Sequence, residues 1–313
     1  MAEPGEDAVE NLRELVRERF GTEIAQLDRV HGGSKKGVYR LTLGTGRTVI
    51  AYVWSDEENY WPPAPAADWD PFAHATGYRL FERAHTLLSS LGVRVPELYA
   101  GNDADLALVE DVGGRTLERL IEDDPAAAGP VLARLAGSLD RMSRHRTAWT
   151  GPMSCAEVVL RRARADLGEA AARVERLAAA GDELAAVLGD LADGIEPRAE
   201  CGLVHGELGP DHVLVDAAGE PVLIDFEGVV PFDVEWEHVF LRIRFGEHYP
   251  ALAVPGLDER RLRFYRLAQH LSLVAGPLRL LDGDFPDRAF MAGIAEHHTG
   301  QALAVLTPGG PSW

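Results

Sequence analysis

The chain has 313 residues, 46% of them hydrophobic and 26% charged, the composition of a soluble globular protein long enough for two lobes. Its formal net charge of −19 argues against the clustered Lys and Arg of a nucleic-acid surface; it suits a cationic ligand or simply a solvated acidic exterior. No apolar run approaches the roughly 20 residues of a membrane span. The acidic start Met1–Asp7 lacks the apolar segment of a secretory signal, so a cytoplasmic location is expected. Cys155 and Cys201 share no metal-ligand spacing and read as reduced thiols.

In chain order, Val9, Leu12, Leu15, Val16 and Phe20 have the spacing of an amphipathic helix. Residues 27–54 read as β structure: Val38–Leu43 alternates, Gly44-Thr45-Gly46 turns, and Thr48–Trp54 returns. Residues 55–76 form an insert rich in Pro, Trp and Asp, expected to be an ordered loop or lid. A helix follows with Leu80, Ala84, Leu87, Leu88 and Leu91 on one face and Gly92 as its stop. Short β-like runs at Glu97–Ala100 and Leu106–Glu110 lead into Asp111-Val112-Gly113-Gly114, a hinge candidate. Beyond it, helices are predicted over Leu117–Ile121, Val131–Met142, Val158–Leu177 and Leu184–Leu191, then near 234–245, 258–275 and 287–305. A β-hairpin from Val213–Asp216 to Val222–Asp225 interrupts them. Strands first and helices after is an α+β order, with a β-rich N-lobe over 1–111 and a mainly helical C-lobe over 112–313.

One compositional asymmetry stands out. Of 31 basic residues only two are lysines, and they are adjacent, Lys35 and Lys36, in a glycine-flanked turn.

The densest chemistry lies in His205-Gly206-Glu207-Leu208-Gly209-Pro210-Asp211-His212, which runs into the strand Val213–Asp216, with Asp225 on the return strand. A polar loop shaped by Gly and Pro thus enters an apolar strand, and the hairpin brings a carboxylate back beside Glu207 and His212. Phosphoryl transfer needs this set: a carboxylate to orient the acceptor hydroxyl and oxygen ligands for Mg²⁺. Other motifs fail on spacing. Gly32-x-x-x-x-Gly37 continues with Val38 instead of Lys-Ser/Thr, and no Gly-x-Gly-x-x-Gly opens a helix after a strand. His297-His298 has no carboxylate at helical ligand spacing and reads as a polar helix end.

The catalytic segment resembles that of aminoglycoside and choline-kinase-like phosphotransferases, whose pattern is His-Gly-Asp-x-x-x-x-Asn followed by Ile-Asp-(Phe/Trp)-Glu. His31-Gly32-Gly33-Ser34-Lys35-Lys36-Gly37 resembles the family's nucleotide-cradling loop, Glu82 its helix-C glutamate, and Leu108-Val109-Glu110-Asp111 the hinge that meets the adenine. The resemblance implies a two-lobed protein-kinase-like fold, with ATP and Mg²⁺ (or Mn²⁺) as cofactors. It also implies roles: Asp225 as metal ligand, Glu207 at the catalytic aspartate's place, His212 at the metal-binding asparagine's, and His205 as a structural residue. Gly33, Ser34, Lys35, Lys36, Glu82 and Glu110 would face the nucleotide. Asp233 or Glu237 would hydrogen-bond the loop backbone.

Three positions depart from the family pattern. Glu207 adds a methylene, about 1.5 Å of reach. His212 offers nitrogen where Mg²⁺ favours oxygen, and so suits Mn²⁺ or Zn²⁺ better. The strand Val49–Trp54 has Ala51 or Tyr52 where the family has its β3 lysine; an ammonium from Lys35 or Lys36, oriented by Glu82, would replace it. The expected function is phosphoryl transfer to a hydroxyl of a small molecule, an aminoglycoside or polyol, or of a peptide Ser/Thr. The alternative is a pseudokinase that binds nucleotide or a partner without transfer. Trp54, Trp61 and Trp69 of the insert region would either shape an acceptor pocket or pack over the N-lobe sheet.

Overall fold

A computed structural model describes residues 4–30, 33–63, 69–73 and 76–307. His31, Gly32, residues 64–68 and 74–75 of the insert and both chain ends lie outside the described residues.

The alternation read in residues 24–54 becomes the spine of a five-stranded antiparallel sheet. Its strands are β1 (Ile24–Arg29), β2 (Gly37–Leu43), β3 (Thr48–Val53), β4 (Leu98–Asn102) and β5 (Leu106–Glu110), in the order β1-β2-β3-β5-β4. Because successive side chains point to opposite faces, the sheet serves two cores. Tyr39, Leu41, Val49 and Ala51 are fully buried against Leu12 and Val16 of helix α1 (Glu6–Phe20). On the other face, Tyr52 and the adjacent Trp54 join Phe81 and Leu88 of α2 (Tyr78–Ser90) in a core that continues into the helices beyond Glu110. Burying each such side chain contributes about 1.5–3 kcal/mol, so this second core fastens the sheet to the rest of the molecule.

After β5 the chain turns through Asp111, which accepts hydrogen bonds from Arg40 on β2 and from Gly113 N. Then come β6 (Arg115–Thr116), α3 (Leu117–Asp123), α4 (Pro125–Arg144), β7 (Thr147–Ala148), α5 (Cys155–Ala171), α6 (Glu175–Ala179) and α7 (Gly181–Ala192). Local chemistry sets the helix starts. Thr116 caps α3, Asp124 caps α4, and Ser154 with Glu157 forms a capping box on α5. The stretch Val158–Leu177, read as one helix, breaks after Ala171, and the break turns Leu177 fully into the core.

The segment from His205 to His212 is framed by strands too short to show a period in the sequence. β8 (Glu200–Val204) precedes it, β9 (Val213–Val215) and β10 (Pro221–Leu223) form the predicted hairpin, and β11 (Val230–Phe232) returns antiparallel to β8. Helices α8 (Val234–Phe245), α9 (Glu259–Asp282) and α10 (Arg288–Ala304) close the fold. His298, expected at a polar helix end, is buried instead, its Nδ1 2.9 Å from Nδ1 of His270 on α9. The observed architecture is the two-lobed α+β arrangement anticipated from the sequence.

Candidate active site

Strand β8 delivers His205 and Gly206 into the floor of the cleft between the sheet and the helices. His205 is 1% exposed, and its Nε2 lies 3.1 Å from the Ile224 carbonyl, which can only accept, so Nε2 carries the proton. Burial, reinforced by His212, lowers its pKa to about 4 and keeps the ring neutral. Gly206 has φ 93°, which favours glycine, and a Cβ there would sit tightly against the Phe72 ring at 3.2 Å. The Gly206 N–H donates to Glu237 on α8 at 2.8 Å. Of the two predicted buttresses, then, Glu237 holds the loop. Asp233 instead receives Arg261, Tyr265 and Arg198 in a buried cluster.

The same loop presents Glu207, exposed at the cleft, and His212. His212 Nδ1 lies 2.8 Å from the Glu207 carbonyl and must be the donor there. In the neutral ring this leaves Nε2 as the lone-pair nitrogen, 3.7 Å from Asp225 Oδ2. Asp225 adopts φ 60°, left-handed backbone uncommon for a residue with a side chain and of the kind found at functional sites. The next residue, Phe226, stacks on Phe81 of α2 at 4.9 Å, so the Asp225 turn is locked to that helix by ring packing.

Lys36 is the centre of the arrangement. It is 5% exposed; its Nζ lies 2.6 Å from Asp225 Oδ1 and also hydrogen-bonds Glu227. The rings of Tyr52 and Trp54 flank the ammonium at 5.0 and 5.8 Å. Burial opposes its charge, but Asp225 and Glu227 outweigh burial and hold its pKa well above the ordinary lysine range. Desolvation likewise works against the Asp225 carboxylate, and Lys36, then His212, overcome it and keep that group well below the usual carboxylate range. Even so, 39% of the Asp225 side chain remains open to the cleft.

Other predicted residues take different places. Glu82 does not orient a lysine: its carboxylate accepts from Tyr78 Oη, one turn earlier on α2, at 2.8 Å. The Glu110 carboxylate is held by a two-pronged contact from Arg94 at 2.7 Å and by Glu97 N, which leaves only its main chain for a hinge role. Lys35 lies over Trp61 at 5.7 Å, away from the Asp225 pair. Gly33, with φ 88°, and Ser34 line the cleft beside it.

Sequence reasoning missed Glu227 as a partner of Lys36, although it is the Glu of the Ile-Asp-Phe-Glu stretch. The insert was also only half understood. It begins with Glu58 clamped by Arg29 and Tyr39, then sends Trp61 Nε1 to Ser34 Oγ at 2.8 Å. Asp70 pairs with Arg162 on α5 at 2.7 Å, and Phe72 stacks on Trp236 of α8 at 5.8 Å. The described part of the insert therefore starts against the sheet, where Glu58 meets Arg29 and Tyr39, and crosses to the helices through Asp70 and Phe72. Trp54, Trp61 and Phe72 wall a cleft of about 620 Å³, mouth included, with Glu207, Asp225 and Glu227; Trp69 packs under Arg161 instead.

The cysteines are also brought together, Sγ to Sγ 3.5 Å, beside Asp233. Asp233 already serves two arginines and a tyrosine, so the trio does not make a metal site.

Comparison with known proteins bears on this geometry directly. The profile described as "Phosphotransferase enzyme family" matches residues 27–276, which include the glycine turn, the loop from His205 to His212 and Asp225. The chain belongs to this family. The comparison with curated proteins returned no match. Among solved structures, the phosphotransferase is similar to a thermostable mutant of aminoglycoside phosphotransferase APH(4)-Ia. The two share 18% identity over 92% of this chain and 98% of the other, with a TM-score of 0.63. The same protein has been solved in a ternary complex with ADP and hygromycin B, at 18% identity over 93% and 98% and a TM-score of 0.62. Choline kinase LicA from Streptococcus pneumoniae aligns over 95% of this chain and 99% of its own, at 13% identity and a TM-score of 0.65. At these identities the likeness establishes the fold. Among the described residues, no helix of this phosphotransferase is long and apolar enough to cross a membrane.

Proposed function

We propose that this phosphotransferase moves the γ-phosphoryl group of ATP, with a divalent cation, to the hydroxyl of a small cationic acceptor. The observation that carries the reading is the Lys36–Asp225–Glu227 cluster facing Glu207 across a cleft between the lobes. The solved relative with ADP and hygromycin B supports a nucleotide and a hydroxyl-bearing partner in such a cleft.

The residues present fit a divalent ion. Asp225 Oδ2 and the second Glu227 oxygen are hard donors, and His212 Nε2 carries a lone pair on the same side as Asp225. The nitrogen makes Mn²⁺ a better match than Mg²⁺. When bound, the ion would neutralise phosphate charge. The protein's own groups do the rest. Lys36, with Lys35 at the mouth, supplies ammonium to phosphate oxygens, and the Gly33–Ser34 turn covers them. Glu207, exposed and one methylene longer than aspartate, orients the acceptor hydroxyl and accepts its proton. The acceptor oxygen forms its bond to phosphorus as the bond to the ADP oxygen breaks.

Three aromatic walls with carboxylates between them favour a cationic acceptor over a neutral polyol. The test is to measure ATP binding calorimetrically with Mg²⁺ or Mn²⁺, then ADP release with aminoglycosides, amino alcohols, neutral polyols and Ser-containing peptides. Turnover with a cationic alcohol is expected. Absence of nucleotide binding with either metal refutes the proposal, and binding without turnover across the panel would favour a pseudokinase.

A further inference from the structure

Lys36 spends two of its three N–H donors on Asp225 Oδ1 and Glu227 Oε1. These are the carboxylates that the proposed reaction gives to a divalent cation, so the inference rests on that reading. The Lys36 side chain is 6% exposed and walled by Tyr52 and Trp54, which fixes the ammonium where a surface lysine would wander. An ammonium and a divalent ion on the same two carboxylates repel, and Lys36 cancels half of the pair's negative charge. The backbone behind it is anchored. Gly37 is paired with Val53, Ser34 O accepts from Tyr60 N at 2.9 Å, and Ser34 Oγ accepts from Trp61. Lys36 can therefore leave by turning its own stem, with β2 intact.

We propose that Lys36 is a tethered counter-ion. It closes the Asp225–Glu227 pair to divalent cations until the phosphates of a nucleotide draw the ammonium away, so metal enters only together with nucleotide. A polyanion is the ligand class that can compete, because it offers the ammonium more negative charge than the carboxylates it leaves.

Mn²⁺ titration of the full chain, followed by electron paramagnetic resonance of the free ion, tests this without any turnover. Without nucleotide, wild type and Asp225→Asn should bind Mn²⁺ equally weakly. Lys36→Met should gain one site about tenfold tighter or more, since a unit charge is removed at contact distance, whereas Lys36→Arg, which keeps the charge, should not. Adding ADP to the wild type should recruit one Mn²⁺ that Asp225→Asn fails to hold. A tight nucleotide-free site in the wild type that Asp225→Asn lacks overturns the proposal. So does a Lys36→Met protein with a native circular dichroism spectrum and wild-type Mn²⁺ affinity. If Lys36→Met does not fold, the comparison of wild type with Asp225→Asn decides alone. Failure of ADP to bind refutes the functional reading instead, and the nucleotide-free titrations still decide this one.

Discussion

Replacing Glu237 by glutamine removes a charge from the buried side chain that holds the Gly206 backbone from α8. Glu237 is 4% exposed; Oε2 accepts from Gly206 N at 2.8 Å, and Oε1 is buried without a hydrogen-bond partner among the described residues. Burial raises its pKa from 4.5 to about 7, against the lowering effect of the Gly206 and His205 backbone N–H groups. A carboxyl that binds its proton more tightly when folded gives its full stability below the unfolded pKa of 4.5. It loses stability as pH rises toward 7 and carries the whole penalty above that. The displacement is about 2.5 units, which at 1.36 kcal/mol per unit is about 3 kcal/mol.

Glutamine keeps an acceptor for Gly206 N and supplies an N–H₂ where the protonated acid has O–H, with no charge at any pH. Near pH 4.5 wild type and Glu237→Gln should therefore be nearly equal in stability. Above pH 8 the variant should be more stable by about 3 kcal/mol, or about 6 °C in Tm at roughly 2 °C per kcal/mol for a long chain. Scanning calorimetry of both proteins from pH 4.5 to 9 measures the difference, and every other titration cancels in it. A pH-independent difference, or a variant less stable at pH 8, refutes the reasoning.

Three further outcomes rest on the same buried groups and contacts. Burial lowers the pKa of His205, His238 and His298 to about 4 and of His270 to about 3, so the stability of their neutral forms, full above 6.5, is lost as pH falls from 6.5 toward those values. Urea unfolding should show a loss of several kcal/mol across that window, steeper in Glu237→Gln because Glu237 pulls the other way; a flat profile would contradict the buried neutral rings. Gly206→Ala, forced to φ 93° with its Cβ 3.2 Å from Phe72, should cost about 1–3 kcal/mol in chemical denaturation, and a neutral effect would show that loop and insert readjust freely. Trp61→Phe removes the hydrogen bond to Ser34 Oγ, about 1 kcal/mol, together with part of the ring under Lys35, and should weaken ATP about fivefold or more by calorimetry; an unchanged Kd would separate the insert from the Gly33–Ser34 turn.

How far the sequence could be read depended on whether a feature was local. The hairpin of β2 and β3 announces itself because alternation and a Gly-Thr-Gly turn are properties of neighbouring residues, and the stretch from His205 to Asp225 does so because a polar loop meets an apolar strand. Strands β6, β7, β8 and β11, of two to five residues, carry no period and exist only through their partners. Glu82 was assigned by its place on a helix, yet Tyr78 at i−4 reaches its carboxylate first. His298 and the facing pair Cys155 and Cys201 depend on helices and strands meeting across 28 and 46 residues, which no spacing rule encodes. The insert's aromatic composition told of burial; only its anchors, Glu58 and Asp70, decided against which surface.

Lys36 shows why an absent strand lysine need not leave the cleft without a cation. The register of β2 on β3 places Gly37 opposite Val53 and Val38 opposite Tyr52, so a residue at 36 enters over the end of β3. Tyr52 and Trp54, two residues apart on one face, turn into the core beneath the cleft, and the Lys36 ammonium comes to rest against both rings. A lysine rooted at 52 would project its charge from that same face. Moving the root across the ladder preserves where the charge stands and changes what carries it. A lysine on the strand would be rooted within the sheet, whereas Lys36 is rooted in the anchored turn before β2 and can move its ammonium by rotating its own stem. Glu82, no longer needed as a strand lysine's partner, is left to pair with Tyr78, and Phe226 against Phe81 keeps α2 coupled to Asp225.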